Sequence, residues 1–287
     1  MDGAKVVRLP GGADLVTFTP PFFAVTAYNR NNHATEPFQE AFNMPFEKYK
    51  EMDAYHWNLA ECKWTNWDYN PPMAARQQAV VDCIPPDSGR ILDIGCGDGY
   101  LLYRGAMAAP GAKLAGVDLE AKAIDLAKSK LENYGHQAEL HICGCDAIPF
   151  SDGSIDTVIM SDVIEHLPDT DAALREIRRV LVSNGTAIIS TPNRQEDFVW
   201  DPEYHVQEFS HTEFKALLSP YFAQVSIVAH WPMTWMRQWR LSPLSRTILR
   251  LMACSGFDPF RRSTREPDSS WGQLTAICTG PLRSNPG

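Results

Sequence analysis

A doubly wound α/β fold on a mostly parallel sheet is predicted by three observations. A short apolar run, Ile91, Leu92 and Ile94, ends in glycines at 95, 97 and 99, and the helix-compatible segment Tyr100–Ala109 follows at once. Strand-like and amphipathic segments then alternate from residue 112 to residue 190. Two further strand-like segments close the chain with no ordinary crossover helix between them. Strands separated by helices pair in parallel with right-handed crossovers, whereas the terminal pair suits an antiparallel closure. Seven strands are therefore expected, the last of them antiparallel.

Residues 1 to 44 are rich in Pro, Gly and Asn, with breakers at Pro20-Pro21 and Asn29–Asn32, and are expected to form an irregular arm with no fold of its own. Pro45 to Trp57 suits a helix, with Tyr49, Met52 and His56 on one side. Pro71-Pro72 opens a second helix that runs to about Val81. Beyond the glycine turn, 112–118, 138–143, 155–160 and 186–190 read as strands two to five, with helices at 120–134 and 169–182. A helix at 210–218 precedes strand six at 222–229, and 272–278 is the last strand. Between these last two lies an insertion, 231–270, in which Trp231, Trp235 and Trp239 recur every four residues and Leu244, Ile248, Leu249 and Met252 share a helix face. The chain thus divides into an N-terminal arm and cap helix (1–70) and one α/β domain (71–287) carrying a cap insertion at about 231–270.

The net charge of -9 argues against broad nucleic-acid binding, which depends on Lys and Arg. Seven cysteines with no C-x-x-C pair suggest neither a disulfide framework nor a zinc site, so reduced, mostly buried thiols in a cytoplasmic protein are expected. No apolar run is long enough to span a bilayer. The insertion carries seven Arg against Asp258, Glu266 and Asp268, a local +4 that suits cover over an acidic substrate or contact with a membrane face. All eight Trp lie outside 68–199. Rings placed in appended segments are economical in lids, so Tyr55, Trp57, Trp231 and Trp235 are candidate acceptor contacts, and the caps are a candidate surface for homo-oligomers.

The glycine spacing selects the ligand. A dinucleotide fingerprint would place Gly at 100, where Tyr stands, so a pyrophosphate cradle is disfavoured. Asp93 instead puts a carboxylate at the strand end, suited to a cationic amine or sulfonium. Asp118 ends strand two and can accept from the vicinal hydroxyls of a ribose. Asp146 and Ala147 follow strand three, where Ile148-Pro149-Phe150 can flank an adenine ring. Together Asp93, Gly95, Gly97 and Gly99 resemble motif I of the class I S-adenosylmethionine (SAM) dependent methyltransferases, and the likeness extends over about 75–230 plus the final strand. It implies a Rossmann-like fold, with SAM bound by Asp93, Gly95, Cys96, Gly97, Gly99, Asp118, Leu119, Asp146, Ala147 and Ser161.

Strand four leads into Ser161-Asp-Val-Ile-Glu-His-Leu167, not the Asn/Asp-Pro-Pro-Tyr/Phe motif of amide and adenine amino methyltransferases. With Ser190–Asn193 and His205–Phe209 it looks like the ubiquinone-biosynthesis O-methyltransferases, which implies methyl transfer to a small-molecule hydroxyl, on a sugar or secondary metabolite. N-methylation of a small amine stays open. So does metal-assisted 2′-O-methylation of an RNA end, since small-RNA methyltransferases share the Glu-His pair. A cofactor-binding scaffold without chemistry is disfavoured by the intact motif I. His166, with His205, is the candidate base. Asp162, Glu165, His166 and His205 could instead hold Mg²⁺ or Mn²⁺, or the two histidines could merely fix their loops.

Overall fold

The computed structural model describes residues 4–8, 14–18, 49, 53–63, 65–197, 199–201 and 204–282. Eight strands form the main sheet in the order β5-β4-β3-β6-β7-β10-β8-β9. Its central strand, β3 (Arg90–Ile94), is the apolar run before the glycine turn, and β4 (Lys113–Asp118), β5 (Ala138–Ile142), β6 (Ile155–Ser161) and β7 (Leu181–Pro192) join it in parallel. Chain order reverses between β3 and β6. The carboxyl ends of those strands are where open α/β sheets leave a ligand crevice.

Helices α3 (Tyr100–Ala108), α4 (Ala121–Asn133) and α5 (Thr170–Val180) make the crossovers. Their small and branched residues, Ala123, Ala127, Leu131, Leu174 and Ile177, are buried while their charged faces stay outside, so the helical period in the sequence becomes the packing face directly. A capping box between Ser210 and Glu213 starts α6 (His211–Leu218). Strand β10 (Trp271–Pro281) runs antiparallel to both β7 and β8 (Phe222–Pro232), as expected. The two-residue β9 (Ser263–Thr264) on the far edge of β8 adds an eighth strand.

Four expectations are corrected. The arm is not wholly irregular: β1 (Ala4–Arg8) and β2 (Asp14–Phe18) pair antiparallel, where Val6-Val7 and Val16-Thr17 supply β-branched residues. The cap helix from Pro45 is not continuous, since Asp53 adopts φ +50° and a short α1 (Tyr55–Ala60) starts after it; residues 45–48 and 50–52 lie outside the described residues. The cysteines are not all free thiols. Cys62 and Cys254, 192 residues apart, are joined as a disulfide with a Cα–Cα distance of 5.8 Å, a pairing that local spacing could not reveal.

The fourth concerns the insertion, which folds as a hairpin of α7 (Met233–Leu241) and α8 (Pro243–Cys254). Trp231, Met233, Met236, Trp239, Leu249 and Phe260 form its own small core, with Ala75 of α2 (Pro71–Val81) among them. Of the expected α8 face only Leu249 is buried; Leu244 and Ile248 face solvent. Among the described residues no helix is long and apolar enough to cross a membrane.

Candidate active site

The glycine turn after β3 is built from three left-handed residues, with φ of +71°, +52° and +77° at Gly95, Gly97 and Gly99. A side chain at Gly95 would run into Val163, and one at Gly97 into the Tyr49 hydroxyl. Both conformation and space therefore demand glycine there.

Three carboxylates surround this turn. Asp93 is buried with Oδ1 unpartnered, and desolvation, then the charges of Asp118 and Asp98, push its carboxyl well above the usual range. Asp118 accepts from the Gly97 N–H (2.9 Å) and the Glu120 N–H (2.9 Å), yet burial still raises it. A buried acidic group with an orphaned oxygen is costly alone and favourable beside a cation. The turn thus fits the cationic sulfonium and ammonium of SAM.

The adenine side is rearranged relative to expectation. Asp146 and Ala147 are exposed beside the crevice, but Ile148 and Phe150 turn into the core instead of flanking a ring. Leu119, directly after β4, is 76% exposed. A clamp invisible to motif reading fixes this loop: Arg179 donates to the carbonyls of Ile148 (2.8 Å) and Phe150 (2.7 Å), while Glu176 accepts from the Ile148 N–H (2.9 Å). The only sequence signal is the Glu-x-x-Arg pair on α5. Cys96 is buried beneath the turn, its thiol raised chiefly by desolvation.

The N-terminal cap closes over the glycine turn. His56 donates its backbone N–H to Asp98 Oδ2 (2.9 Å) and sets Nδ1 3.1 Å from Oδ1, and the Trp57 indole donates to the Asp98 carbonyl (2.9 Å). Tyr55 stacks on His56 with centroids 3.9 Å apart. Trp57 continues into a cluster with Tyr100, Tyr103 and Tyr134 on the helical layer. Tyr55 and Trp57 therefore help to secure the cap on the glycine turn that follows β3. Buried Tyr49, against Gly97, was not among the sequence candidates; its phenol is held well above its ordinary value, mainly by desolvation.

At the end of β6 the chain makes a single 3₁₀ turn, Ile164–His166. Glu165 is fully buried; Oε2 accepts from the Thr191 hydroxyl (3.0 Å), and Oε1 has no partner. Burial, then the charge of Asp162, raises this carboxyl far above its normal range. The loop after β7 brings His205 beside it, through N–H donations from Val206 (3.0 Å) and Gln207 (3.2 Å) to the Glu165 carbonyl. His166 Nδ1 lies 2.9 Å from the Tyr204 carbonyl, which can only accept, so the neutral ring keeps its lone pair on Nε2. His205 Nδ1 is 2.9 Å from Glu208 Oε1, and the two imidazoles stand 4.9 Å apart.

One ligand atom each of Glu165, His166 and His205 lies within 4.8 Å of the others. Asp162 does not join them. At φ +53° it stands outside the turn, engaged by Arg76 of α2 (2.9 Å), Gln273 of β10 (2.7 Å) and Ser161 (3.1 Å). The helical spacing assumed from sequence fails there because the chain is not yet helical. Ser161 is tied to Ser190 (2.9 Å) at the same strand ends. Trp231 is buried near Trp200, whose indole donates to the Asn193 carbonyl (2.9 Å), whereas Trp235 lines an outer groove of the hairpin with Ile248 and Met252.

A family model described as a methyltransferase domain matches residues 86–236. Among curated proteins the chain is 31% identical over 156 residues to a ubiquinone/menaquinone biosynthesis C-methyltransferase from Geotalea uraniireducens, covering 52% of this chain and 59% of that protein. It is 29% identical over 153 residues to a ubiquinone biosynthesis O-methyltransferase from Aromatoleum aromaticum, covering 52% and 62%. The chain thus spans about three fifths of the length of these relatives. Among solved structures, phosphoethanolamine N-methyltransferase 2 from Haemonchus contortus with S-adenosyl-L-methionine superposes with a TM-score of 0.58 at 15% identity, over 86% of this chain and 61% of that one. A geranyl diphosphate methyltransferase in complex with SAM gives 0.54 at 14%, over 72% and 85%. These likenesses show a shared fold. Since the family match covers more than half of the sequence and runs through the glycine turn, Asp118 and the Glu165-His166 turn, the chain belongs to the methyltransferase-domain family.

Proposed function

We propose that the protein transfers the methyl group of SAM to a hydroxyl of a small-molecule acceptor. The observation that carries this reading is the pair of imidazoles beside the carboxyl end of β6, 4.9 Å apart, with His166 Nδ1 2.9 Å from the Tyr204 carbonyl, which fixes the neutral ring with its lone pair on Nε2. When bound, SAM supplies an electrophilic methyl on a sulfonium. The Asp93 region and the glycine turn hold its cationic end, Asp118 takes the ribose, and Leu119 with Asp146 and Ala147 takes the adenine. His166 accepts the hydroxyl proton as the acceptor oxygen attacks. Desolvation lowers the His166 pKa, so the ring is neutral and competent at neutral pH. The relatives' names divide between carbon and oxygen acceptors; methylation of either releases a proton, and a hydroxyl is the acceptor whose proton a base at this position would take directly as the oxygen attacks.

A metal-assisted variant is favoured by one specific observation, the orphaned Oε1 of buried Glu165 beside two imidazoles. His205 oriented by Glu208, and His166 by a carbonyl, have the outer hydrogen bonds typical of metal-binding histidines. With Asp162 engaged elsewhere, one carboxylate and two nitrogens suit Mn²⁺ or Zn²⁺ better than Mg²⁺, which prefers oxygen donors. Such an ion would act as a Lewis acid at the acceptor oxygen.

The test is transfer from methyl-labelled SAM across hydroxylated and amine acceptors of matched size, with and without EDTA. Label on oxygen supports the proposal. Label only on nitrogen or carbon would overturn it.

A further inference from the structure

The α7–α8 hairpin carries an apolar stripe that its own core does not use. Leu244, Ile248 and Leu251 follow one another at i, i+4 and i+7 on the outward side of α8, and all are exposed; Leu241 at the hairpin turn is 71% exposed and Phe257 beyond α8 is 59% exposed. Trp67, 68% exposed, lies alongside, sharing a shallow depression with Thr247 and Leu251. The Cys62–Cys254 disulfide staples this Trp67 segment to the end of α8, so the two form one surface. Between the helices runs a groove of about 620 Å³, lined by Trp235, Ile248, Leu249, Met252 and Arg262.

Charge says what covers this face. Residues 231–270 hold seven Arg against three acidic residues, while the whole chain carries -9. Arg237 pairs with Asp197, Arg261 with Asp258, Arg246 and Arg250 donate to main-chain carbonyls and Arg240 lies over Trp200, so the countercharge at this face comes from the remaining two. Arg262 and Arg265 are exposed beside the hairpin. A second copy would bring the same cationic surface against itself. An anionic lipid surface, by contrast, offers apolar depth for the leucines, interfacial depth for Trp67 and countercharge for the arginines. Because no described helix is long enough to span, the contact is interfacial.

We propose that this face docks on anionic phospholipid bilayers, the stripe 244-248-251 entering the headgroup boundary and the arginines meeting lipid phosphates. It is independent of the reading of the catalytic centre. The test is co-sedimentation of the full, oxidised chain with phosphatidylcholine vesicles with or without phosphatidylglycerol, at two salt concentrations. The expected result is partitioning onto phosphatidylglycerol vesicles that falls at high salt and is at least ~10-fold weaker on pure phosphatidylcholine. Leu244→Asp/Ile248→Asp should lose ~10-fold or more with an unchanged melting temperature, and Arg262→Gln/Arg265→Gln a smaller share. Absence of partitioning, equal partitioning on both vesicles, or equal behaviour of wild type and variants would overturn the proposal. So would a dimer in sedimentation velocity that Leu244→Asp/Ile248→Asp dissociates without any vesicle binding, since the occupant would then be a second copy.

Discussion

The crevice at the ends of β3, β4 and β6 and the outer face of the α7–α8 hairpin are unfavourable alone for opposite reasons. The first buries acidic groups with oxygens unpartnered, Asp93 and Glu165. The second exposes leucines, with Leu241 and Leu244 more than two-thirds open. Each state costs free energy that a partner would return, a cation in one case and an apolar layer in the other. The difference teaches where to look for function. Buried acidic groups with unpartnered oxygens point to the proposed catalytic centre, and uncovered hydrocarbon points to the proposed docking face.

The comparison is tested most sharply where the charge is buried. His166→Ala should lower the rate by ~10²-fold or more if the imidazole removes the acceptor proton, with SAM affinity preserved in calorimetry. Loss of activity in EDTA, restored by Mn²⁺ or Zn²⁺, would assign the cluster to a metal. Activity that survives both would show that a hydroxyl acceptor is only aligned there. The same substitution should leave vesicle partitioning untouched, because the two regions act separately.

On the hairpin side the largest effect concerns Cys62 and Cys254. A crosslink between residues 192 apart restricts the unfolded chain strongly, so Cys62→Ser/Cys254→Ser should cost about 2–3 kcal/mol in urea unfolding. Reductant should lower wild-type stability by the same amount and leave the variant unchanged. Wild type insensitive to reductant would mean that the sulfurs are not bonded in solution.

Asp118→Ala comes next. Its carboxylate organises the turn through Gly97 and is placed for the ribose, so SAM should bind at least ~10-fold more weakly, in line with the loss of a charged hydrogen bond. An unchanged affinity would place the ribose elsewhere.

The two regions also differ in how legible they were. The sheet and the glycine turn could be read because their signals are local: three glycines in five residues, an acid at or after the ends of β3, β4, β5 and β6, a helix after β3, β4 and β6. Glu165 and His166 are neighbours in sequence and on one 3₁₀ turn. His205 does join Glu165 and His166 across the chain, but other arrangements set by distant parts of the chain escape local signals. Helical spacing puts Asp162 with the cluster, but Arg76 and Gln273 claim it. Ile148 and Phe150 were apolar enough for an adenine pocket or for the core, and packing chose the core. In the hairpin, periodicity identified an apolar side of α8 without saying whether protein would cover it, and Leu249 alone went inside. The Cys62–Cys254 pair left no sequence trace. Periodicity places Tyr49 on one face of a helix, and only the fold sets it against Gly97.

The smallest expected effect returns to the cofactor side, where loops are held by charges that water still reaches. Glu176 and Arg179 brace the 148–150 loop, and the Arg179 hydrogen bond holds the Glu176 carboxyl below its ordinary value. A depressed folded-state pKa means that this contribution is fully present above the unfolded value of ~4.3 and is lost as pH falls through the lower folded value. Glu176→Gln should therefore cost no more than ~1 kcal/mol at neutral pH, screening included, and should flatten the acid limb of the stability curve. The Ile148 N–H would still meet an amide oxygen, so the loop should keep its shape and SAM affinity should fall less than in Asp118→Ala. A larger loss of SAM affinity than of stability would show that the clamp positions the cofactor directly, extending the functional part of the acidic region one helix further from the crevice.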